Sequence, residues 1–316
     1  MTFIKNTLKM TRSELYYQWS SKKIILIIAI LLGFAVIHLL GLYNNVLSAY
    51  NLYRFSEARH IEEGRDIIEV LSEPMYEFVH ENTRIISNTL RYDFISLSSS
   101  IQNLSPQNAM SNFLEFVVFA ICTVIFGIYA AYIAFYEYRL KIHKITSVKY
   151  SQLIIILGRL LSIAIVVILS IAISLLFIGL GSIFVRNLLY EQIPINNFTL
   201  DILGYSFGLP PQLLLSFGVL FFYVIIGFSI SYIFKSIIIP TIVLFLYGFI
   251  IPILGAYDFR NIFSYFAHNV FSFESRFIMF RPHQINEYYG IAIIIFTVFF
   301  LFLTMLYISN KRSLYD

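Results

Sequence analysis

Between two long apolar runs lies a compact group of charged and hydroxyl side chains: Glu137, Arg139, Lys141, Lys144, Thr146 and Ser147, followed across a short apolar stretch by Arg159. These residue types at this spacing do not assemble a nucleophile with its base, nor a paired-carboxylate site. They suit two tasks. A short polar helix of this kind can dock on a charged surface of another protein, and lysines and arginines between apolar runs also hold a loop on the cytoplasmic side of a membrane. The residues alone leave both readings open.

Other chemistry is missing from the pattern. There is no G-x-x-x-x-G-K-[ST] to cradle a nucleotide phosphate and no H-E-x-x-H to hold zinc. Cys122 is the one cysteine and sits inside an apolar run, so it reads as a small apolar filler and permits no disulfide within one chain. His60 and His80 fall in a polar segment, and His268 and His283 are too far apart in sequence to act as a local ligand pair. Glu62 and Glu63 lie in that polar segment too, which argues against a role in cleavage within the bilayer. The expectation is a chain that is not an enzyme and carries no metal or cofactor of its own. Nothing in it points to nucleic acid.

The elements that position the polar group are apolar. Hydrophobic residues make up 59% of the 316 positions and charged residues 13%, too little polar surface for a soluble domain of this length. The apolar residues gather in runs of about 20, the length a helix needs to cross ~30 Å of hydrocarbon. An all-α polytopic membrane protein follows, since backbone groups in lipid must be satisfied within each segment. Six spans are expected, near 24–43, 113–135, 157–184, 211–234, 237–256 and 289–308. The first run has no small-residue cleavage site and is expected to stay as an anchor. With both termini inside, every lysine faces the cytoplasm, from Lys5 and Lys9 through Lys22, Lys23, Lys149 and Lys235 to Lys311.

Three segments lie outside those spans. Residues 1–23 place Ile4, Leu8, Leu15 and Trp19 at helical spacing among basic residues, the pattern of a cytoplasmic amphipathic helix on the inner leaflet. Residues 44–112 form an acidic extracellular insertion. Ile61, Ile68, Leu71, Met75 and Phe78, then Ile85, Leu90 and Phe94, predict a small helical cap broken near Pro74, with the serine-rich stretch 96–105 as a linker. Residues 257–288 are rich in aromatic side chains such as Phe263, Phe266, Phe271 and Phe277, which predicts a re-entrant segment dipping into the outer leaflet.

Charge at depth is sparse. Glu115 is expected near water at the outer end of the second span, Arg159 to snorkel from the inner end of the third, and His38 to stay neutral. A charge at mid-bilayer costs ~3 kcal/mol, and an ion-coupled transporter needs binding groups there. Any transport must draw its energy from elsewhere.

The segment 137–156 also carries a resemblance. The run Glu137-Tyr138-Arg139-Leu140-Lys141, the stretch Thr146-Ser147-Val148 and the closing Gly158-Arg159-Leu160 resemble the inner loop of the permease subunits of exporter-type (type 2) ABC transporters. The amphipathic amino terminus, the tight turn at Lys235-Ser236, Pro240 and Pro252 in the fifth span and the aromatic segment before the last span resemble that family as well. Leu140-Lys141 departs from the Gly-Thr pair often found there, and the outer insertion is longer than in the shortest members. The resemblance implies a single transmembrane permease domain, 1–316, and a composition rich in Ile, Phe, Tyr and Asn suggests an AT-rich bacterial genome and so a bacterial plasma membrane. The resemblance also implies a second permease subunit, identical or related, and a cytoplasmic ABC ATPase dimer that holds ATP and magnesium. Glu137, Arg139, Lys141, Lys144, Thr146, Ser147 and Arg159 would be the ATPase-coupling residues. A path without charges suits an amphipathic or hydrophobic cargo: a peptide, a lipid-linked molecule or a drug. Antimicrobial peptide export or resistance is one such role. A non-transporting sensor or immunity protein, and a membrane-embedded lipid-modifying enzyme, are the alternatives.

Overall fold

The computed structural model describes residues 2–80, 83–140, 149–198, 208–273 and 277–312. It is overwhelmingly helical. Helices α1 (Thr2–Ser20), α2 (Lys23–Glu62), α3 (Ile67–Ser72), α4 (Thr89–Gln102) and α5 (Pro106–Phe116) are followed by a π-turn over Val117–Cys122 that runs on into α6 (Thr123–Leu140). Then come α7 (Gln152–Tyr190), α8 (Leu209–Phe234), α9 (Ile238–Phe245) with a π-turn over Leu246–Ile250, α10 (Phe259–His268) and α11 (Glu287–Arg312). Among the described residues, five helices are long and apolar enough to cross a membrane: Lys23–Glu62, Pro106–Tyr136, Gln152–Tyr190, Leu209–Phe234 and Glu287–Ser309.

These five include the runs expected as spans one, two, three, four and six. The expected fifth, 237–256, differs: its helix stops at Ile250. The π-turn gives Ile251 N–H a bond to the Leu246 carbonyl at 2.8 Å, and Pro252 has no N–H to continue the ladder. The chain then runs without helix to Asp258.

The contacts form two compact units. One comprises 1–31, 114–174 and 207–316, the other 32–113 and 175–206. In the first, α6 and α8 cross closely at Gly127 and Gly227: a Cβ on Gly227 would collide with the backbone of Gly127. Small residues permit this approach, which is how helices associate tightly in lipid, where no hydrophobic force drives them together. Tyr232 on α8 donates to Ser309 on α11 at 2.9 Å, with both side chains buried. Otherwise α11 is lightly packed: 6% of its most apolar window is buried, against 39–56% for the other four spans. Lys22 (φ 59°) and Lys235 (φ 49°) adopt the left-handed conformation. The chain therefore breaks sharply between α1 and α2 and again between α8 and α9, the second break falling at the expected tight turn.

The second unit corrects the expected insertion. Residues 44–62 continue α2, a 40-residue helix of roughly 60 Å, rather than opening a loop. Phe78 and Ile85, expected on helices, pair across an antiparallel hairpin of β1 (Glu77–His80) and β2 (Thr83–Ile86). The serine-rich stretch expected as a linker lies largely in α4. The break near Pro74 is present, because α3 ends at Ser72. Asn88 caps α4 through the Arg91 N–H and donates to the Val70 carbonyl at 2.6 Å, tying α4 to α3. Tyr53, Phe94 and Phe198 pack ring on ring, with centroids 5.0–6.0 Å apart. His38 is buried, edge-on to the Phe113 ring.

Candidate functional site

Helix α1 is built inside out relative to a soluble amphipathic helix. Its outward face carries Ile4, Leu8, Tyr16 and Trp19, each 56–75% exposed. Its buried face is Met10, Thr11, Glu14 and Gln18. Positions 14 and 18 lie one turn apart on the same side of the helix. Burying a carboxylate and an amide is costly unless each finds partners, and both find them on α6 and α7.

The partners form a two-rung ladder in which each rung draws one side chain from each of three helices. In the first rung, Tyr136 of α6 donates to both carboxylate oxygens of Glu14 at 2.9 Å, and Arg159 of α7 approaches Glu14 Oε1 through Nε at 3.4 Å. Glu14 is 2% exposed and Arg159 0%. The guanidinium also lies over the Tyr136 ring, 5.7 Å from its centroid, and Tyr17 stacks on the same ring at 4.2 Å. In the second rung, Tyr129 of α6 donates to Gln18 Oε1 at 2.6 Å, and Gln18 donates through Nε2 to Ser162 of α7 at 2.9 Å. Ser162 in turn donates to the Arg159 carbonyl at 2.8 Å, which joins the rungs.

Close approach makes the ladder possible. A Cβ on Gly158 would stand 2.6–2.8 Å from the Met10 side chain, so the α1–α7 contact requires glycine there. Met10, Ile154 and Ile155 form an apolar cluster beside it, with Tyr150 packed against them.

Of the residues expected to couple to an ATPase, Arg159 is therefore not a snorkelling side chain. It is wholly buried against Glu14, because α1 brings a carboxylate to it before it could reach headgroups. Glu115 is likewise fully buried rather than near water, and accepts the Phe273 N–H at 3.3 Å. Arg139 is exposed in the last turn of α6, and Glu137 lies in the same turn, where only its backbone is described. Lys141, Lys144, Thr146 and Ser147 lie outside the described residues. Sequence reasoning missed Glu14, Gln18, Tyr129, Tyr136 and Ser162. A polar pair one turn apart, about a quarter-turn around the helix from Ile4, Leu8 and Trp19, was the available signal.

The ladder's one aliphatic hydroxyl, Ser162, donates to a backbone carbonyl, and among the described residues no group of three or more His, Cys, Asp or Glu could hold a metal ion. The ladder's chemistry is mechanical: it locks α1 to the two helices that lead into and out of residues 141–148. No protein-family model matches the chain, and neither a curated protein nor a solved structure matches it.

Proposed function

We propose that this chain is the membrane-spanning permease subunit of an ATP-driven exporter, with the segment 137–156 as the element that receives force from a separate cytoplasmic ATPase. The observation that carries the reading is the buried Glu14–Tyr136–Arg159 contact. A coupling element transmits motion only if its two ends are fixed to something stiff. Here the helix entering the segment and the helix leaving it are both pinned to α1, whose outward face is apolar and interleaved with Lys5, Lys9 and Arg12. Such a face lies on a membrane surface.

In this reading there are six crossings, with Ile238–Ile250 and the irregular residues after it completing the fifth, and α10 forming the re-entrant segment. Both termini are cytoplasmic, as the lysine distribution supports. Two permeases and two ATPase subunits assemble in a bacterial plasma membrane, and the ATPases hold the nucleotide and magnesium. The cargo is amphipathic or hydrophobic, a membrane-active peptide being one candidate. The test is affinity purification of the tagged full chain from its native host. A soluble ATPase that co-purifies with the wild type and is lost on Arg139→Glu supports the proposal. A chain that purifies without one refutes it.

A further inference from the structure

A cavity of about 590 Å³ opens where α9 gives out, among α6, α8, α10 and residues 277–280. Its walls are chiefly ring and hydrocarbon, including Phe119, Tyr223, Phe249, Phe263 and Phe277. Small-molecule sites commonly measure ~300–1,000 Å³. A dry apolar cavity of ~150 Å³ is enough for one benzene, so this one holds roughly four times as much.

A broken helix leaves carbonyls without a helical donor, and a side chain of α10 covers two of those that follow the break. Arg260 donates to the Ile251 and Pro252 carbonyls at 2.6 and 2.7 Å. Asp258 accepts the Leu254 N–H at 2.9 Å and pairs with Arg260 at 3.1 Å. The one cation among the lining residues is thereby neutralised by a carboxylate that is 1% exposed. The far wall is held in place by polar side chains of α10 that also point away from ligand use: Ser264 donates to the Phe280 carbonyl at 3.0 Å, and Asn261 to the His283 carbonyl at 3.1 Å. At its mouth the cavity is continuous with exposed apolar side chains, among them Phe249 (54%) and Ile278 (81%).

The geometry points to a binding site for an uncharged hydrocarbon chain, acyl or alkyl, that enters from the bilayer and lies across Phe119, Tyr223 and Phe263. The mouth is greasy, no free charge stands among the described residues that line the interior, and the hydroxyls of Thr123 and Tyr223 leave room for at most a weakly polar head. This assignment stands apart from the coupling segment and does not depend on an ATPase.

The test uses the full chain in lipid nanodiscs and a photoactivatable hexadecanol. The expected result is saturable labelling on peptides carrying Phe119, Tyr223 and Phe263, competed by unlabelled hexadecanol. Ala120→Trp, which puts a ring into the cavity, should weaken apparent affinity at least ~10-fold, while Leu303→Trp on the exposed face of α11 changes nothing. Competition on the wild type tests the site even where Ala120→Trp fails to fold. The matching palmitate should label more weakly, since no unpaired cation stands among the described lining residues. A phosphatidylcholine with the photoactivatable group in its acyl chain separates the two sources: labelling of the same peptides assigns a chain of a bilayer lipid, and labelling by the alcohol alone assigns a free hydrocarbon. Labelling that does not saturate, that spreads evenly over α11, or that survives Ala120→Trp in a folded variant overturns the proposal. So does strong preference for palmitate. Cross-linking of Ile278→Cys to a second copy without saturable labelling overturns it as well.

Discussion

Glu14 and Arg159, 145 positions apart in the chain, meet as a buried ion pair with Tyr136 donating to both carboxylate oxygens. A pair this enclosed is dangerous to break and inexpensive to replace as a unit. Removing one partner takes the opposite charge away from a group that stays buried. Glu14→Gln and Arg159→Met should each destabilise the detergent-solubilised protein by ~3–5 kcal/mol. The double variant should lose much less than their sum, and a double-mutant cycle on thermal unfolding measures the coupling.

The second rung is neutral and should matter less. Gln18→Leu removes the acceptor of Tyr129 and the donor to Ser162. A net hydrogen bond contributes ~0.5–1.5 kcal/mol, and a buried partner left unsatisfied costs ~1–3. A loss of about 1–3 kcal/mol on unfolding is expected, below that of either charged substitution.

At the α6–α8 crossing there is no room to yield, because a Cβ on Gly227 meets the backbone of Gly127 rather than a flexible side chain. Gly227→Leu should abolish the folded protein, read as loss of the monodisperse peak in size exclusion. Gly33→Leu, where a Cβ meets nothing within 4 Å, should leave that peak in place.

The Asp258–Arg260 clasp predicts a pH dependence. Burial alone would raise the Asp258 pKa, but the Arg260 guanidinium, the Leu254 and Arg260 N–H groups and the Tyr247 hydroxyl outweigh it and hold the carboxyl at about 2, below its ordinary 3.8. A depressed carboxylate pKa contributes stability that is present above the unfolded value and is lost as pH falls through the folded one. The fluorescence of a probe on residue 254 should therefore stay constant down to about pH 4 and change only toward about pH 2. Asp258→Asn should show no such acid transition.

Trp19 is the only tryptophan and stands 58% exposed on the apolar face of α1. In vesicles its emission should be blue-shifted and quenched by lipids brominated near the headgroup more than by those brominated at the chain terminus. Emission typical of water would contradict the placement of α1 on the membrane.

Much of the fold was legible because length and apolarity suffice to identify a spanning helix. The runs at 113–135, 211–234 and 289–308 each fall within a helix of nearly the same extent. The helix over residues 2–20 was legible from the spacing of Ile4, Leu8, Leu15 and Trp19. The β1–β2 hairpin was not, because over four-residue strands the spacing of Phe78 and Ile85 suits a helix as well as a strand. The end of the π-turn after α9, at Ile250, was hidden because apolar composition continues past the break, and only Pro252 marks it. The ladder was the least legible part. Glu14 reads as one more charge in a basic segment until α6 and α7 are laid against it, and Arg159 near a span end reads as a snorkelling residue by default.

Under the proposed function, a separate ATPase drives this bundle through the segment that follows α6 and precedes α7, the two helices the Glu14–Arg159 ladder joins to α1. The most direct measurement is ATP hydrolysis by the complex captured from native membranes on the tagged chain, comparing wild type with Arg139→Glu and Glu14→Gln. Vanadate-sensitive hydrolysis should co-purify with the wild type and fall at least ~10-fold per mole of chain in both variants, one by losing the ATPase and the other by loosening its anchor. Captured protein that is folded, of full yield and free of ATP-hydrolysing activity would contradict the proposed function.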